Sequence, residues 1–240
     1  MIAGVDVALV RAANPGPLSL SGTNTWLLGR HPCWVVDPGP ALDAHLDAIV
    51  AAASLRGGVG GIALTHDHPD HVEGLPGLLE RVGDVPVARS GELGPLRALP
   101  TPGHSPDSVT WIAGTTAFTG DTVLGEGSVF VSGQLGEYLE ALERLRSLEP
   151  ALLLPGHGDP VTDPDARIGE LIGHRLERER RLLAALDRGA RTVDALLADA
   201  WSDAPPALRP AAALTLAAHL DKLERDGRLP AGVERPERPF

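Results

Sequence analysis

The chain has 240 residues, of which 43% are hydrophobic, and it carries a formal net charge of −11 and a single cysteine. This length and apolar content are sufficient for one large domain, or for one domain with a small appendage. The acidic balance argues against binding to duplex DNA, because basic surface is needed to displace counterions from phosphates. Cys33 cannot form an intrachain disulfide, and no run of about 20 apolar residues predicts a membrane span, so we expect a cytoplasmic protein without membrane contact.

The first 160 residues have the pattern of short strands separated by glycine- and proline-rich turns. Residues 23–29 and 33–39 predict a β-hairpin, and the spacing of apolar residues over 43–54 predicts a helix. The apolar run 61–65 is typical of a buried strand. An amphipathic helix is predicted over 137–148, and the remaining strands are predicted over 85–88, 108–113, 116–120 and 151–155. This alternation of strands and helices predicts an α/β fold built in layers.

The composition changes after about residue 163, where Glu/Arg pairs at helical spacing become frequent. A long helix is predicted over 165–189, a second helix follows Thr192, and a third spans 209–227. Two helices followed by a short extended tail are similar to a small winged-helix domain. We expect a catalytic domain over 1–162, completed by part of the helix over 163–189, and a helical, winged-helix-like appendage over 163–240.

The last predicted helix of this appendage ends in DKLERDGR, whose charges are mixed in sign. A helix that reads DNA needs a net positive charge. We therefore expect the appendage to pack on the first domain or to form the contact of a homodimer.

The segment LTHDHPDHVEG places three histidines and two aspartates within six positions. It follows a predicted strand, and in extended backbone His66 and His68 point to the same side, so both can bind one ion. Pro69 fits the first position of a helix, after which Asp70 and His71 can face a second ion. Zinc accepts this mixture of imidazole and carboxylate ligands. An acidic turn with titrating histidines is the alternative interpretation.

Three residues farther along the chain could complete two such sites. His104, Asp121 and His157 each lie beside glycines, and Asp121 and His157 are each at the end of a predicted strand. Glycine lets the backbone approach an ion closely. A lone histidine of this kind is more often structural, but the three together favour a dinuclear hydrolytic centre.

The motifs THDHPDH, TPGHSPDS, TGD and PGHG, in this order, resemble those of the metallo-β-lactamase superfamily over roughly residues 20–160. The resemblance implies a four-layered αβ/βα sandwich with the metals at the rim between two sheets. It implies two zinc ions, although iron or manganese would suit the same ligands. By this resemblance one ion is held by His66, His68 and His104, the other by Asp70, His71 and His157, and Asp121 bridges the two.

Two positions refine this resemblance. True zinc β-lactamases usually carry Cys or His where this chain has Asp121, so the chain looks like the branch of glyoxalase II thioesterases, lactonases and metal-dependent ribonucleases. Asp107 stands where the family loop usually has glycine, and we expect a local change there without loss of metal.

The segment GHRLERERRLL is similar to the helix that opens the winged-helix appendage of the β-lactamase-like protein 2 subgroup. Characterised members of that subgroup cleave single-stranded RNA. His174 and Arg175 could then reach the substrate cleft, whereas the alternative interpretation is a solvated helix with surface ion pairs.

The implied chemistry is hydrolysis by a metal-bound hydroxide, because two dications lower the pKa of a bound water towards about 7. Asp70 would bind a metal and also orient the hydroxide. Asp37, Asp67 and Ser105 are candidates to hold the imidazoles, and Asp37 could equally cap a turn. Three hypotheses remain: cleavage of single-stranded RNA, hydrolysis of a small ester or thioester, and a non-catalytic metal-binding scaffold that binds a partner.

Overall fold

The structure is a computed structural model that describes residues 5–237, and two five-stranded β-sheets form its centre. The first sheet contains, in spatial order, β1 (Val7–Arg11), β2 (Asn24–Leu28), β3 (Cys33–Val36), β4 (Val59–Ala63) and β5 (Val87–Ala88). The second contains β6 (Glu92–Leu93), β7 (Leu96–Pro100), β8 (Val109–Ala113), β9 (Thr116–Gly120) and β10 (Leu152–Pro155), which also lie side by side in chain order. The predicted hairpin is confirmed as the antiparallel pair of β2 and β3.

The α-helices of residues 5–237 are α1 (Asp43–Ser54), α2 (Pro69–Val72), α3 (Leu75–Val82), α4 (Leu135–Ser147), α5 (Pro164–Asp187), α6 (Val193–Ala200) and α7 (Arg209–Arg225). As predicted, α2 begins at Pro69. The first N–H groups of a helix have no hydrogen-bond partner within the helix, so proline loses nothing by lacking an N–H at this position. Thr192 caps α6, since its hydroxyl accepts a hydrogen bond from the backbone N–H of Ala195. No helix among these residues combines the length and apolar character that a membrane span needs.

The two sheets stack face to face, and helices cover both outer faces. Alternate side chains of a strand point to opposite faces, so each sheet contributes to two clusters. One cluster lies between the first sheet and α1 with α3, and includes Leu27, Val35, Ile49 and Leu78. A second lies between the sheets, and includes Trp26, Val36, Trp111 and Phe118. A third lies between the second sheet and α4 with α5, and includes Ala117, Leu142, Leu153 and Leu171. The predicted four-layered αβ/βα sandwich is confirmed.

The C-terminal helices form a smaller core of their own. It joins the end of α5 to α6 and α7 through Leu182, Leu186, Leu196, Leu197, Leu216 and Leu220. Ala218 of α7 instead belongs to the core of the sandwich. The appendage therefore packs on the first domain, which was one of the two arrangements expected from the sequence. Cys33 is fully buried, as its apolar neighbours in the sequence suggest.

Candidate metal centre

All seven residues predicted to bind metal lie together at one edge of the sandwich. His66 and His68 follow β4, Asp121 follows β9 and His157 follows β10. They form two groups, within each of which the candidate ligand atoms lie within 4.8 Å of one another. The three-histidine group consists of His66, His68, His104 and Asp121. The two-histidine group consists of Asp70, His71 and His157.

The three-histidine group has ring nitrogens that face one another. Nε2 of His104 lies 3.0 Å from Nδ1 of His68. Nδ1 of His104 donates to the carbonyl of Phe130 at 3.1 Å, which leaves Nε2 with its lone pair. Nδ1 of His66 contacts the hydroxyl of Thr65, and its buried Nε2 makes no hydrogen bond within residues 5–237. A buried, unpaired nitrogen beside other lone pairs fits a cation at this position.

The two-histidine group is similarly compact. Nε2 of His71 lies 3.3 Å from Nε2 of His157, which in turn lies 3.3 Å from Oδ2 of Asp70. The hydroxyl of Thr23 donates to that same Oδ2 at 2.8 Å. Nε2 of His71 lies 3.6 Å from this oxygen as well, so Oδ2 is the carboxylate oxygen that faces both imidazoles and is placed to bind a metal with them.

Asp121 belongs to the three-histidine group and also lies beside the two-histidine group. Its Oδ1 is 3.4 Å from Nε2 of His71, and its Oδ2 is 3.6 Å from Nε2 of His104. That placement is compatible with the bridging role implied by the resemblance, which stays a prediction. Gly156 packs directly on this carboxylate, because a Cβ at this position would lie 2.6 Å from Oδ1 of Asp121. Only glycine leaves the space that the carboxylate occupies.

Burial sets the protonation of the three-histidine group. It lowers the pKa of His66 well below the usual value, and it lowers the pKa of His68 as well. It lowers the pKa of His104 to about 4. These imidazoles are therefore neutral near pH 7, which is the form that binds a metal.

Charge outweighs burial for His71 and Asp121. Burial opposes a charged His71, but the carboxylates of Asp121 and Asp37 raise its pKa well above the usual value. Burial likewise opposes an ionised Asp121, but His71 and His157 lower its pKa well below the usual range. The site therefore retains an ionised carboxylate at its centre.

Asp37 holds one of the imidazoles, as predicted. Its Oδ2 accepts from Nδ1 of His71 at 2.8 Å. Both its oxygens also accept from Thr65, Oδ1 from the backbone N–H and Oδ2 from the hydroxyl. The side chain is 2% exposed, so its negative charge acts on His71 with little screening by solvent.

The prediction that Asp67 and Ser105 also hold imidazoles is wrong. Asp67 pairs with Arg89 at the surface, and the hydroxyl of Ser105 bonds that of Ser108. These contacts follow from loop geometry that the sequence does not specify. The carboxylate of Asp107 accepts from the backbone N–H of Asp67 at 2.8 Å. The local change expected at Asp107 is therefore a link between this loop and the histidine-rich segment.

A cavity of about 310 Å³ opens on both groups. Apolar side chains from the sandwich and the appendage form much of its wall, among them Leu18, Leu124, Val129, Phe130, Trp201 and Leu208. Phe130 also contacts the site, since its ring centroid lies 4.9 Å from that of His104. The sequence gives no signal for this residue or for Thr23, because both reach the site only through the fold.

His174 and Arg175 both line this cavity. Arg175 is 2% exposed and donates to the carbonyl of Val129. Nε2 of His174 accepts from Arg178 at 3.2 Å, and burial lowers the pKa of His174 to about 4. The alternative of a solvated helix is wrong for this face of α5. A role of the two residues in substrate binding stays a prediction.

Comparison with known proteins agrees with this fold and site. Residues 18–99 and 90–157 match the metallo-β-lactamase superfamily, and residues 192–230 match the β-lactamase associated winged helix domain. The β-lactamase-like protein 2 homolog of Drosophila melanogaster is 30% identical over 93% of this chain and 89% of that protein. The atrochrysone carboxyl ACP thioesterase of Aspergillus novofumigatus is 31% identical over 77% of this chain and 64% of that protein.

A solved structure resembles most of the chain, both the sandwich and the appendage. A metallo-β-lactamase family protein from Thermus thermophilus superposes with a TM-score of 0.71 and 25% identity, over 92% of this chain and 94% of that one. The chain therefore belongs to the metallo-β-lactamase superfamily. Within it, the chain is a hydrolase that resembles the β-lactamase-like protein 2 homologues and carries their associated winged-helix domain.

Proposed function

We propose that the protein is a dinuclear metal-dependent hydrolase of esters or thioesters with an apolar acyl group. The observation that carries this proposal is the cavity, whose floor is the metal-ligand cluster and whose walls are largely apolar. The thioesterase of Aspergillus novofumigatus is a relative with that class of activity in its name.

The charges around the cavity favour a neutral acyl substrate. Of the two arginines in its wall, Arg178 pairs with Asp203. Arg175 donates to the carbonyl of Val129, while its Nε is buried without a hydrogen bond among the described residues. Glu126 adds negative charge to the lining, whereas the charge of Asp203 is balanced by Arg178. A phosphodiester would be bound better by basic groups that are free to contact its phosphates.

The two groups of ligands suit a pair of divalent ions. Five imidazoles and two carboxylates converge there, and Nε2 of His66 and Oδ1 of Asp121 are buried without a hydrogen bond among the described residues. Bound ions would polarise the substrate carbonyl and ease the ionisation of a water molecule. We propose two zinc ions, and the same donors suit iron or manganese.

Asp70 is the residue proposed to take part directly in catalysis. Its side chain is 34% exposed, against 10% for Asp121, so it can reach an attacking water from the cavity side. Thr23 fixes one of its oxygens. The other oxygen can orient the water and accept its proton.

Single-stranded RNA is the second candidate substrate, and the match to a winged-helix domain is the observation that favours it.

Three further expectations remain part of the proposal: a cytoplasmic location, a homodimer, and a domain boundary after residue 162. So does a contact of His174 and Arg175 with the substrate.

The test is a comparison of substrates on the purified, metal-loaded protein. We expect hydrolysis of a hexanoyl thioester of N-acetylcysteamine, slower hydrolysis of S-lactoylglutathione, and loss of both activities in His68→Ala. Cleavage of labelled single-stranded RNA without thioester hydrolysis would replace the first candidate by the second. If no substrate turns over although metal is bound, the scaffold hypothesis is the one that survives.

A further inference from the structure

Residues 129–133, which we call the strap, run from the β9 side of the site towards α4 and bind the loop that carries His104. The carbonyl of Phe130 accepts from Nδ1 of His104 at 3.1 Å. The backbone N–H and the hydroxyl of Ser132 both donate to the carbonyl of His104, at 3.1 and 2.6 Å. A carbonyl can only accept, so the first bond places the hydrogen on Nδ1 and leaves Nε2 free to bind a metal.

The C-terminal helices hold the strap from its other side. The backbone N–H of Val131 donates to the hydroxyl of Thr215, in α7, at 3.1 Å. Arg175, in α5, donates to the carbonyl of Val129. Thr215 is 3% exposed and Arg175 2% exposed, so solvent offers the strap little replacement for either bond.

These bonds matter because residues 129–133 belong to no helix or strand. Three successive residues bond three different parts of the molecule: Val129 bonds α5, Phe130 bonds the ring of His104, and Val131 bonds α7. Loss of the Thr215 hydroxyl leaves a buried N–H unpaired, and the strap must move to reach another acceptor. Any such movement shifts the carbonyl that orients His104.

We propose that Thr215 is a positioning residue for His104, through which the C-terminal appendage sets the metal affinity of the three-histidine group. The inference rests on the metal binding proposed above, and it assigns the appendage a role besides lining the cavity. It differs from a purely structural role, in which Thr215 would only help to hold α7 on the sandwich.

The variants are Thr215→Val and Thr215→Ala, which both remove the hydroxyl, and Thr215→Ser, which keeps it. Thr192→Val is the matched control, since it removes a threonine hydroxyl that caps α6 in the same appendage and does not contact the strap. Zinc affinity is measured by titration against a competing chelator. The ¹⁵N shifts of the His104 ring in metal-free protein report which nitrogen carries the hydrogen.

We expect Thr215→Val and Thr215→Ala to bind one of the two ions about tenfold more weakly, the size typical for groups that orient a ligand. Their His104 ring should show a mixture of the two hydrogen positions, whereas Thr215→Ser and Thr192→Val should match the wild type in both measurements. Wild-type zinc affinity in both hydroxyl-free variants, or an equal loss in Thr192→Val, would overturn the inference. A wild-type chain that binds no divalent ion would overturn the proposed function and this inference together.

Discussion

Two regions of this molecule hold buried histidines in opposite ways. At the edge of the sandwich, ring nitrogens of neighbouring histidines lie 3.0 to 3.3 Å apart and carboxylates lie beside them. In the appendage, His219 is fully buried in α7. Within residues 5–237 neither of its ring nitrogens makes a hydrogen bond, and the ring packs edge-on against Trp201.

The difference shows that burial alone does not identify a metal ligand. Burial depresses the pKa of His219 to about 3, as it depresses the pKa of His104 to about 4. Only His104 has a second imidazole and a carboxylate within reach of its free nitrogen. Convergence of several donors on one point separates a ligand from a histidine that fills space in a core.

Replacement of His66 by leucine should have the largest effect on function. The change removes a donor from the three-histidine group, and metal ions contribute several kcal/mol to hydrolysis, so kcat/KM should fall about a thousandfold. Leucine removes the hydrogen bond between Nδ1 of His66 and Thr65, but it also removes the buried Nε2, which has no hydrogen bond among the described residues. Because these two effects oppose each other, the stability of the metal-free protein should change by about 1 kcal/mol or less. Thioester hydrolysis and urea unfolding in chelator measure the two effects, and a metal-free variant that no longer folds would contradict this separation.

Replacement of Asp37 by asparagine should weaken the two-histidine group. Asparagine has a single acceptor oxygen, which the backbone N–H of Thr65 requires. The N–H₂ then faces Nδ1 of His71 and cannot accept from it, so the ring would favour a hydrogen on Nε2, the nitrogen that faces His157. We expect metal affinity to fall about 10- to 100-fold, as measured by chelator competition. An affinity equal to that of the wild type would show that Asp37 does not orient His71.

Replacement of Thr23 by valine should have a smaller effect on the site, through Asp70. The variant keeps the shape of the side chain but loses two hydrogen bonds, the one donated to Oδ2 of Asp70 and the one accepted from Nδ2 of Asn14. A lost hydrogen bond to a charged group corresponds to about 1.5–3 kcal/mol, and the lower end applies because the Asp70 side chain is 34% exposed. We therefore expect kcat to fall roughly tenfold with little change in KM. Thr23→Ser, which restores the hydroxyl, should recover most of the rate. An unchanged kcat in Thr23→Val would show that Thr23 does not orient Asp70 for catalysis.

Replacement of His219 by leucine should leave metal content and activity unchanged and should stabilise the fold. Removal of an unpaired buried polar group is worth about 1–3 kcal/mol. The pKa of His219 is about 3 in the folded chain, below its usual 6.5, so the unfolded chain binds more protons between these values. Wild-type stability must therefore fall as the pH falls from 6.5 towards 3. Urea unfolding in chelator at several pH values should show a shallower loss in the variant, and an equally steep loss would contradict this account.

The parts of the fold predicted from the sequence are those with a strong local pattern. The hairpin of β2 and β3 and the helices α1, α4 and α5 have clear apolar spacing, and the structure contains all of them. The strands β1, β6 and β7 and the helix α3 were not predicted. β6 has only two residues and β7 ends in a proline, so pairing with neighbours decides their conformation.

The candidate ligands could be predicted because their residue types are chemically distinctive and either cluster, as in residues 66–71, or stand beside glycines, as do His104, Asp121 and His157. The residues that position these ligands could not be predicted. Thr23 is 47 positions from Asp70, Phe130 is 26 from His104, and Thr215 is 84 from Val131. Threonine, phenylalanine and backbone groups occur everywhere in a sequence, so only the fold shows which of them contact a ligand.

The metal content of the purified protein tests the central claim most directly. If the three-histidine and two-histidine groups both bind a divalent ion, elemental analysis after dialysis against zinc should give about two ions per wild-type chain and no more than about one in His66→Leu. His219→Leu should hold as many ions as the wild type. Fewer than about 1.5 ions per wild-type chain, or an undiminished content in His66→Leu, would contradict the assignment of these residues as a dinuclear centre.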